Sequence, residues 1–432
     1  MRLITVIALL CLAYAGSVEA RTGADQPELA PVTPPAAPQG EGISEDEAVL
    51  RALKQNPSLR AFRKQRAVAE GQIVSATAIT NPTAQFQLVH VQTGSQMGFA
   101  ITLKWAPPQP VIWSANRSLA RAHLEQVQFE IAEQEWAIAT QVRIAHSTLL
   151  ALREQARIYD QMLALRKRMG ALLQTRVNHG GATRIDLNLM QLSTLYAQRD
   201  LDDLSLKRTE AQSQLHTLLG VLSAAPLDVS GHIPTDLEPS ALPDADGLAE
   251  QALSARPALK AAQTRIVQRE QALRAEKARR WPWFELSGRY RSTASTTYPN
   301  EGLVGIEFPL PVLNLNGGPI RVATAELDLE QALAQAQFQT LKQTVYTAYA
   351  ELATRRSILL RYQREVLPIL AEHEQLMELA LKGGQLDLVA LLSSEESALR
   401  GQREYSDARL AYRRAWLALE AAVGMPLKEV IK

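Results

Sequence analysis

Cysteine is all but missing from this chain: of 432 residues only Cys11 carries a thiol, and it lies within an apolar N-terminal run. Disulfides and thiolate metal centres are thereby excluded from everything downstream. Aromatic residues make up only 5%, while Ala, Leu, Gln, Glu and Arg dominate, which is the composition of long helices packed through small and aliphatic side chains. A charge of one sign is lacking too. The formal net charge is +1 with acids and bases interspersed, so no global field recruits nucleic acid. Beyond the N-terminus no apolar stretch reaches the ~20 residues of a spanning helix, and any membrane span must be β.

Reactive constellations are equally sparse. The seven histidines, His90, His123, His146, His179, His216, His232 and His373, show no metal-ligand spacing such as a pair four apart on a helix. No serine sits in a G-x-S-x-G setting and no glycine-rich phosphate loop occurs. The adjacent Glu395 and Glu396 diverge by about 100° on a helix, so they read as a solvated face and not as an acid–base pair. These absences argue against an enzyme, a cofactor and a bound metal.

What is present begins with a leader. In "MRLITVIALLCLAYAGSVEA" a basic Arg2, an apolar run and small residues Val18 and Ala20 spell a secretory signal over 1–20, with mature protein starting near Arg21. An apolar run ending in Cys also describes a lipoprotein signal, but Leu10 stands where such a signal needs a small residue. Residues 21–43 are proline-rich and aperiodic, an extended linker.

The chain then says the same thing twice. "QNPSLRAFRKQ" at 55–65 has the shape of "ARPALKAAQTR" at 255–265, with Pro57 and Pro257 separated by 257 − 57 = 200 positions; Pro82 and Pro282 are again 200 apart. Two repeats follow, 44–232 and 244–432. Each holds short helices, a β-hairpin (83–106 and 283–310) and a long helical hairpin (116–219 and 319–423). Within the first repeat a capping box at Ser44 and Glu47 opens one helix, and a second is expected from Ser58 to about Ala78. Phe86 and Leu88 alternate with Gln85 and Gln87, and Leu286, Gly288 and Tyr290 with Glu285, Ser287, Arg289 and Arg291, the period of amphipathic strands.

Prolines close both hairpins, in "WAPPQP" and "FPLP", because proline neither donates to a sheet ladder nor sits well inside a helix. The run from Asn116 to His179 would extend roughly 95 Å as a helix. Its apolar seam, Ile138, Val142, Ala145, Leu149, Leu152, Ala156, Tyr159 and Leu163, keeps the 3.5-residue period of a coiled coil. Pro368 predicts a kink or break in the corresponding arm of the second repeat. Gly180-Gly181 and Gly383-Gly384 mark C-caps at two hairpin tips, which a reach of this length carries far from the strands and toward another protein. Trp105, Trp113, Trp281 and Trp283 gather at one end of the strands, either plugging the helical core or forming an interfacial girdle.

Four amphipathic strands cannot close a barrel, so they must be shared between subunits. The fold class is thus mainly α with a small β part. Duplicated helical hairpins form an α-barrel, and four membrane strands per protomer contribute to a trimeric shared β-barrel. The duplicated "NPSL"/"RPAL" and "TNPTAQF"/"RWPWFEL" stretches, the glycine-bearing tips and the Pro-bounded hairpins together resemble the TolC-like outer-membrane efflux family. "VGIEFPLPVLNLNGGPIRVATAEL" at 304–327 is similar to the outer-membrane component of cobalt-zinc-cadmium-type efflux systems.

The resemblance implies a homotrimer that contacts outer-membrane lipid and extends into the periplasm. It also implies a periplasmic adaptor and an inner-membrane resistance-nodulation-division pump as partners. Docking falls to the tips at Gly180, Gly181, Ala182 and Thr183 and at Gly383, Gly384 and Gln385. A lumen constriction is implied near Asp186, where the second half offers Ala390 and Ser393. A type I secretion outlet and a periplasmic coiled-coil adaptor or scaffold that spans no membrane are the alternatives.

Overall fold

The computed structural model describes residues 42–91, 96–222, 227–234, 244–292, 300–383 and 388–427. The signal, Cys11, nearly all of the proline-rich segment, and Gly384 and Gln385 lie outside them. The first half runs α1 (Glu45–Gln55), α2 (Pro57–Arg63), α3 (Gln65–Thr77), β1 (Thr83–Val91), β2 (Gln96–Trp105), α4 (Pro110–Asn178) and α5 (Arg184–Leu219). The second runs α6 (Ala245–Ala255), α7 (Pro257–Ala278), β3 (Glu285–Ser292), β4 (Glu301–Glu307) and α8 (Gly317–Arg361). A π-helical turn (Tyr362–Val366), α9 (Leu367–Gly383) and α10 (Leu388–Val423) complete it.

The repeated N/R-P-x-L stretch closes each half on itself. Pro57 and Pro257 occupy the first helical position, where a missing N–H costs nothing. Asn56 Oδ1 accepts from Leu59 N–H at 2.9 Å, capping α2, while its Nδ2 donates to Leu218 O at 2.9 Å near the end of α5. Arg256, the equivalent in the second half, donates to Ala422 O at 3.1 Å near the end of α10. Two left-handed glycines, Gly220 (φ 69°) and Gly424 (φ 82°), end those same helices. A Cβ on Gly220 would lie 2.5 Å from Gln55 O, so the first closure has room for nothing larger.

Two apolar clusters sit at these closures, and a third lies further along the arms. Ala48, Val49 and Ala52 of α1 pack on Ile138, Val142, Leu149, Leu215 and Leu219; Leu248, Ala249 and Ala252 of α6 pack on Val345, Leu352, Leu419 and Val423. The seam of α4 enters two clusters in turn, with Ile138 to Leu149 in the first and Tyr159 and Leu163 beside Ala197 and Leu204 in the third.

Several boundaries differ from the sequence reading. The helix expected from Ser58 to about Ala78 is two, with Lys64 as a turn between them. The long arm starts at Pro110 instead of Asn116, since Pro110 fits the first turn and Gln109 O accepts from Trp113 N–H at 2.8 Å. Its counterpart starts at Gly317 because Pro319 falls inside a first turn whose N–H groups have no helical acceptor anyway. Pro368 does not end its arm. Lacking an N–H, it leaves the ladder to re-form one residue wider, and Leu367 N–H reaches Tyr362 O across the π turn.

Candidate functional site

The four strands form one antiparallel sheet in the order β1-β2-β3-β4. Register decides what each face is made of. Phe86 pairs with Ile101, Ile101 with Tyr290 and Tyr290 with Gly302; two residues along, Ala84, Leu103, Gly288 and Val304 line up, and then Trp105, Leu286 and Ile306. One face is therefore apolar across all four strands, and Phe86, Leu103, Tyr290, Val304 and Ile306 stand exposed on it. Exposed apolar side chains over a whole sheet face have no aqueous explanation, and lipid satisfies them.

The other face carries Gln85, Gln87, Thr102, Lys104, Glu285, Ser287, Arg289, Arg291, Glu301 and Glu307. Lys104 Nζ lies 3.2 Å from Glu285 Oε1 and 3.1 Å from Glu307 Oε2, and Arg289 Nε donates to Thr102 Oγ1 at 3.3 Å. β1 and β2, of nine and ten residues, match the span of a tilted transmembrane strand, and β3 and β4 are shorter, at eight and seven. Among the described residues β1 and β4 each leave one edge without a partner.

At the helical end of the sheet the four tryptophans part company. Trp105 Nε1–H donates to Thr80 O at 2.9 Å, Trp113 to Thr77 O at 3.2 Å and Trp283 to Pro107 O at 2.6 Å, pinning the proline junction. Trp281 is 70% exposed and lines the same pocket as the exposed Leu310, Val312 and Leu313.

At the first tip Gly180 (φ 75°) and the bond from Gly181 N–H to Arg176 O, 2.8 Å, end α4 in a six-to-one closure. Thr183 and Asp186 then cap α5 reciprocally. Thr183 Oγ1 accepts from Asp186 N–H at 3.2 Å, and Asp186 Oδ2 accepts from Thr183 N–H at 3.0 Å and from its hydroxyl at 2.7 Å. Those bonds hold the Asp186 carboxyl below the usual carboxylate range. Ser393, in the first turns of α10, is exposed and donates to Ala390 O at 3.0 Å. No hydrogen bond joins it to Asp186. Gly383 ends α9, and the remainder of the second tip lies outside the described residues.

Glu395 and Glu396 are not one solvated face. Glu396 is exposed, but Glu395 is buried and its Oε2 accepts from Arg166 Nε at 3.0 Å, while Arg166 Nη1 donates to Ser193 O at 2.7 Å. This linkage ties α4 to α10 across 229 residues of chain. Arg413, Arg143, Glu45 and Glu420 make a second such network, with Arg413 Nη2 donating to Glu45 Oε1 at 2.6 Å. Sequence reading missed both, and only the position of these residues on otherwise apolar helix faces could have signalled them.

No helix among the described residues is long and apolar enough to cross a membrane. A sheet with one lipid face and one wet face, joined to two helical hairpins of about 100 Å reach, defines an outer-membrane channel subunit. The model of the outer membrane efflux protein family matches residues 48–221 and 248–425, offset like the repeats by 248 − 48 = 200. The chain belongs to that family, as an efflux channel component of the outer membrane that extends into the periplasm and not as an enzyme.

Two relatives bracket it in sequence. The cobalt-zinc-cadmium resistance protein CzcC of Cupriavidus metallidurans is 21% identical over 368 residues, 83% of this chain and 85% of that protein. The pyoverdine export outer membrane protein OpmQ of Pseudomonas aeruginosa is 25% identical over 329 residues, 72% of this chain and 67% of that one. Among solved structures the outer-membrane channel OprN superposes with a TM-score of 0.74 at 16% identity, covering 89% of this chain and 90% of its own.

Proposed function

We propose that three copies join β4 of one to β1 of the next and close a barrel of about twelve strands above a shared tube of helical hairpins. The observation that carries this reading is the sheet itself, apolar on one face, polar on the other and, among the described residues, unpartnered at both edges. Neither edge tolerates lipid, and a closed ring removes both. Trp105 and Trp281 then lie at the membrane–periplasm interface, while Trp113 and Trp283 brace the junction below.

In this reading the tips at Gly180–Thr183 and beyond Gly383 dock a periplasmic adaptor, which an inner-membrane resistance-nodulation-division pump supplies with cargo. Asp186 serves as a cap at the tip rather than as a selecting charge. The wet strand face holds three bases, Lys104, Arg289 and Arg291, against three acids, Glu285, Glu301 and Glu307, so the barrel imposes no charge preference and selection lies upstream. Likeness to CzcC over more than four-fifths of both chains supports heavy-metal cations as the cargo.

Conductance of the purified protein in a planar bilayer, together with a trimeric mass in detergent, tests the conduit. A deletion strain sensitised to cobalt, zinc or cadmium, but not to dyes or detergents, tests the cargo. Sensitisation to organic compounds alone would instead align the channel with the pyoverdine export protein OpmQ, and a water-soluble monomer would sink the proposal.

A further inference from the structure

Between α4, α9 and α10, on the tip side of the arms, a cavity of about 440 Å³ brings together Met162, His373, Met377 and Glu395. His373 and Met377 are four apart on α9, so one helix face presents an imidazole and a thioether to the same space. Ser394 Oγ of α10 stands 2.6 Å from His373 Nε2 and 3.0 Å from Met377 Sδ, which places the two atoms no more than 2.6 + 3.0 = 5.6 Å apart. One hydroxyl has one proton. It serves the nitrogen or the sulfur, and the sulfur is left without a donor whenever the nitrogen takes it.

Glu395 makes the second independent observation. It is 8% exposed, Oε2 is held by Arg166, and Oε1 is buried with no hydrogen-bond partner. Burial raises its carboxyl above the usual range, against the pull of Arg166. Methionine in a helical core ordinarily fills gaps. Here two thioethers share a wall with an imidazole and an unsatisfied carboxylate oxygen, and that donor set suits a soft cation. Arg166 and Arg168 flank the cavity against the single charge of Glu395, and repulsion from the surplus positive charge is twice as large for a divalent ion as for a monovalent one.

We propose that this cavity binds one soft monovalent cation of the Cu(I) or Ag(I) type, ligated by His373 Nε2 and by the sulfurs of Met377 and Met162, with Glu395 Oε1 as counter-charge. Because the ligands come from α9 and α4 and the counter-charge from α10, the bound ion joins the three helices above the tips. The site is independent of which cargo the conduit carries.

The test titrates silver nitrate, in chloride-free buffer, into the detergent-solubilised full-length product, whose intact mass confirms that Cys11 has been removed. One saturable Ag⁺ per chain is expected, with sulfur and lighter neighbours in the silver-edge absorption spectrum and weaker binding of Zn²⁺. Met377→Leu, which conserves volume, and His373→Ala should each reduce affinity about tenfold or more, while Met425→Leu, in a different cluster, should leave it unchanged. Variants are compared at equal elution volume, so a folding loss is visible as such. Absence of stoichiometric silver, full binding in the Met377→Leu chain, or Zn²⁺ bound as tightly as Ag⁺ would each overturn the proposal.

Discussion

Asn56 and Arg256 occupy the same place in the two halves and solve the same problem differently. Both reach from the residue before a helix-starting proline to a carbonyl near the end of that half's last long helix. Asn56 also caps its own helix, so the first closure is local. Arg256 caps nothing and spends its remaining donors on Glu133 of α4, with Nη2 2.9 Å from Oε1, which binds the second half to the first. The arms diverge in the same spirit. α4 runs unbroken for 69 residues, whereas its counterpart is interrupted by a five-residue π turn ahead of Pro368. A duplicated chain keeps its outline under selection for the apolar seam, while single polar or imino residues reassign which half is braced and which is jointed.

The sharpest break of this comparison removes a buried cross-half brace. Glu395→Leu leaves Arg166 buried and unpaired and should cost about 3–5 kcal/mol in thermal unfolding of the detergent-solubilised protein. Glu396→Leu next to it, being exposed, should change little, and Arg166→Met combined with Glu395→Leu should recover most of the loss. Equal effects at 395 and 396 would return both residues to a solvated face.

Within the sheet, the two faces can be set against each other at neighbouring positions. Val304→Arg on the apolar face should cost about 2–4 kcal/mol and deplete the protein from the outer-membrane fraction. Leu303→Arg on the polar face should insert normally, and the reverse ranking would exchange lipid and lumen.

The two closures differ in tightness. Alanine at Gly220 or Gly424 meets the same left-handed strain of about 1–2 kcal/mol, but only at Gly220 does the new methyl also strike backbone, with Gln55 O at 2.5 Å against a nearest atom at 3.5 Å for Gly424. Gly220→Ala should therefore lower the melting temperature more. Asn56→Ala should cost about 1–2 kcal/mol, with Asn56→Asp keeping the cap while losing the bond to Leu218.

The smallest effects concern pH, and the two carboxylates carry opposite signs. Asp186 has a lowered pKa in the folded state, so its contribution exists above the unfolded value and fades as pH falls through the lowered one. Glu395 has a raised one, so its contribution is complete below the unfolded value and disappears as pH rises through the folded one. Melting temperatures of Asp186→Asn and Glu395→Gln across the acid range should change slope in opposite directions.

Much of the architecture was legible in residue order because it depends on periodicity. The seam from Ile138 to Leu163, the alternation at Leu286, Gly288 and Tyr290, and the paired prolines are one-dimensional signals. What escaped was long-range and polar. Nothing adjacent to Glu395 in sequence announces Arg166, and the alternation of Phe86 and Leu88 does not say that Val304 shares their face. The helix starts at Pro110 and Gly317 were also hidden, since a proline stops a helix or opens one according to which turn it occupies.

Residue order alone determined that the chain is duplicated, largely helical, and able to meet a membrane only through strands, because composition and period are properties of the polymer itself. The tertiary structure decided which side of the sheet is apolar across all four strands, which charges are buried between the halves, and that His373, Met377 and Glu395 face one cavity. Those outcomes depend on register and on helix rotation about neighbouring helices, and both are fixed only when distant segments pack.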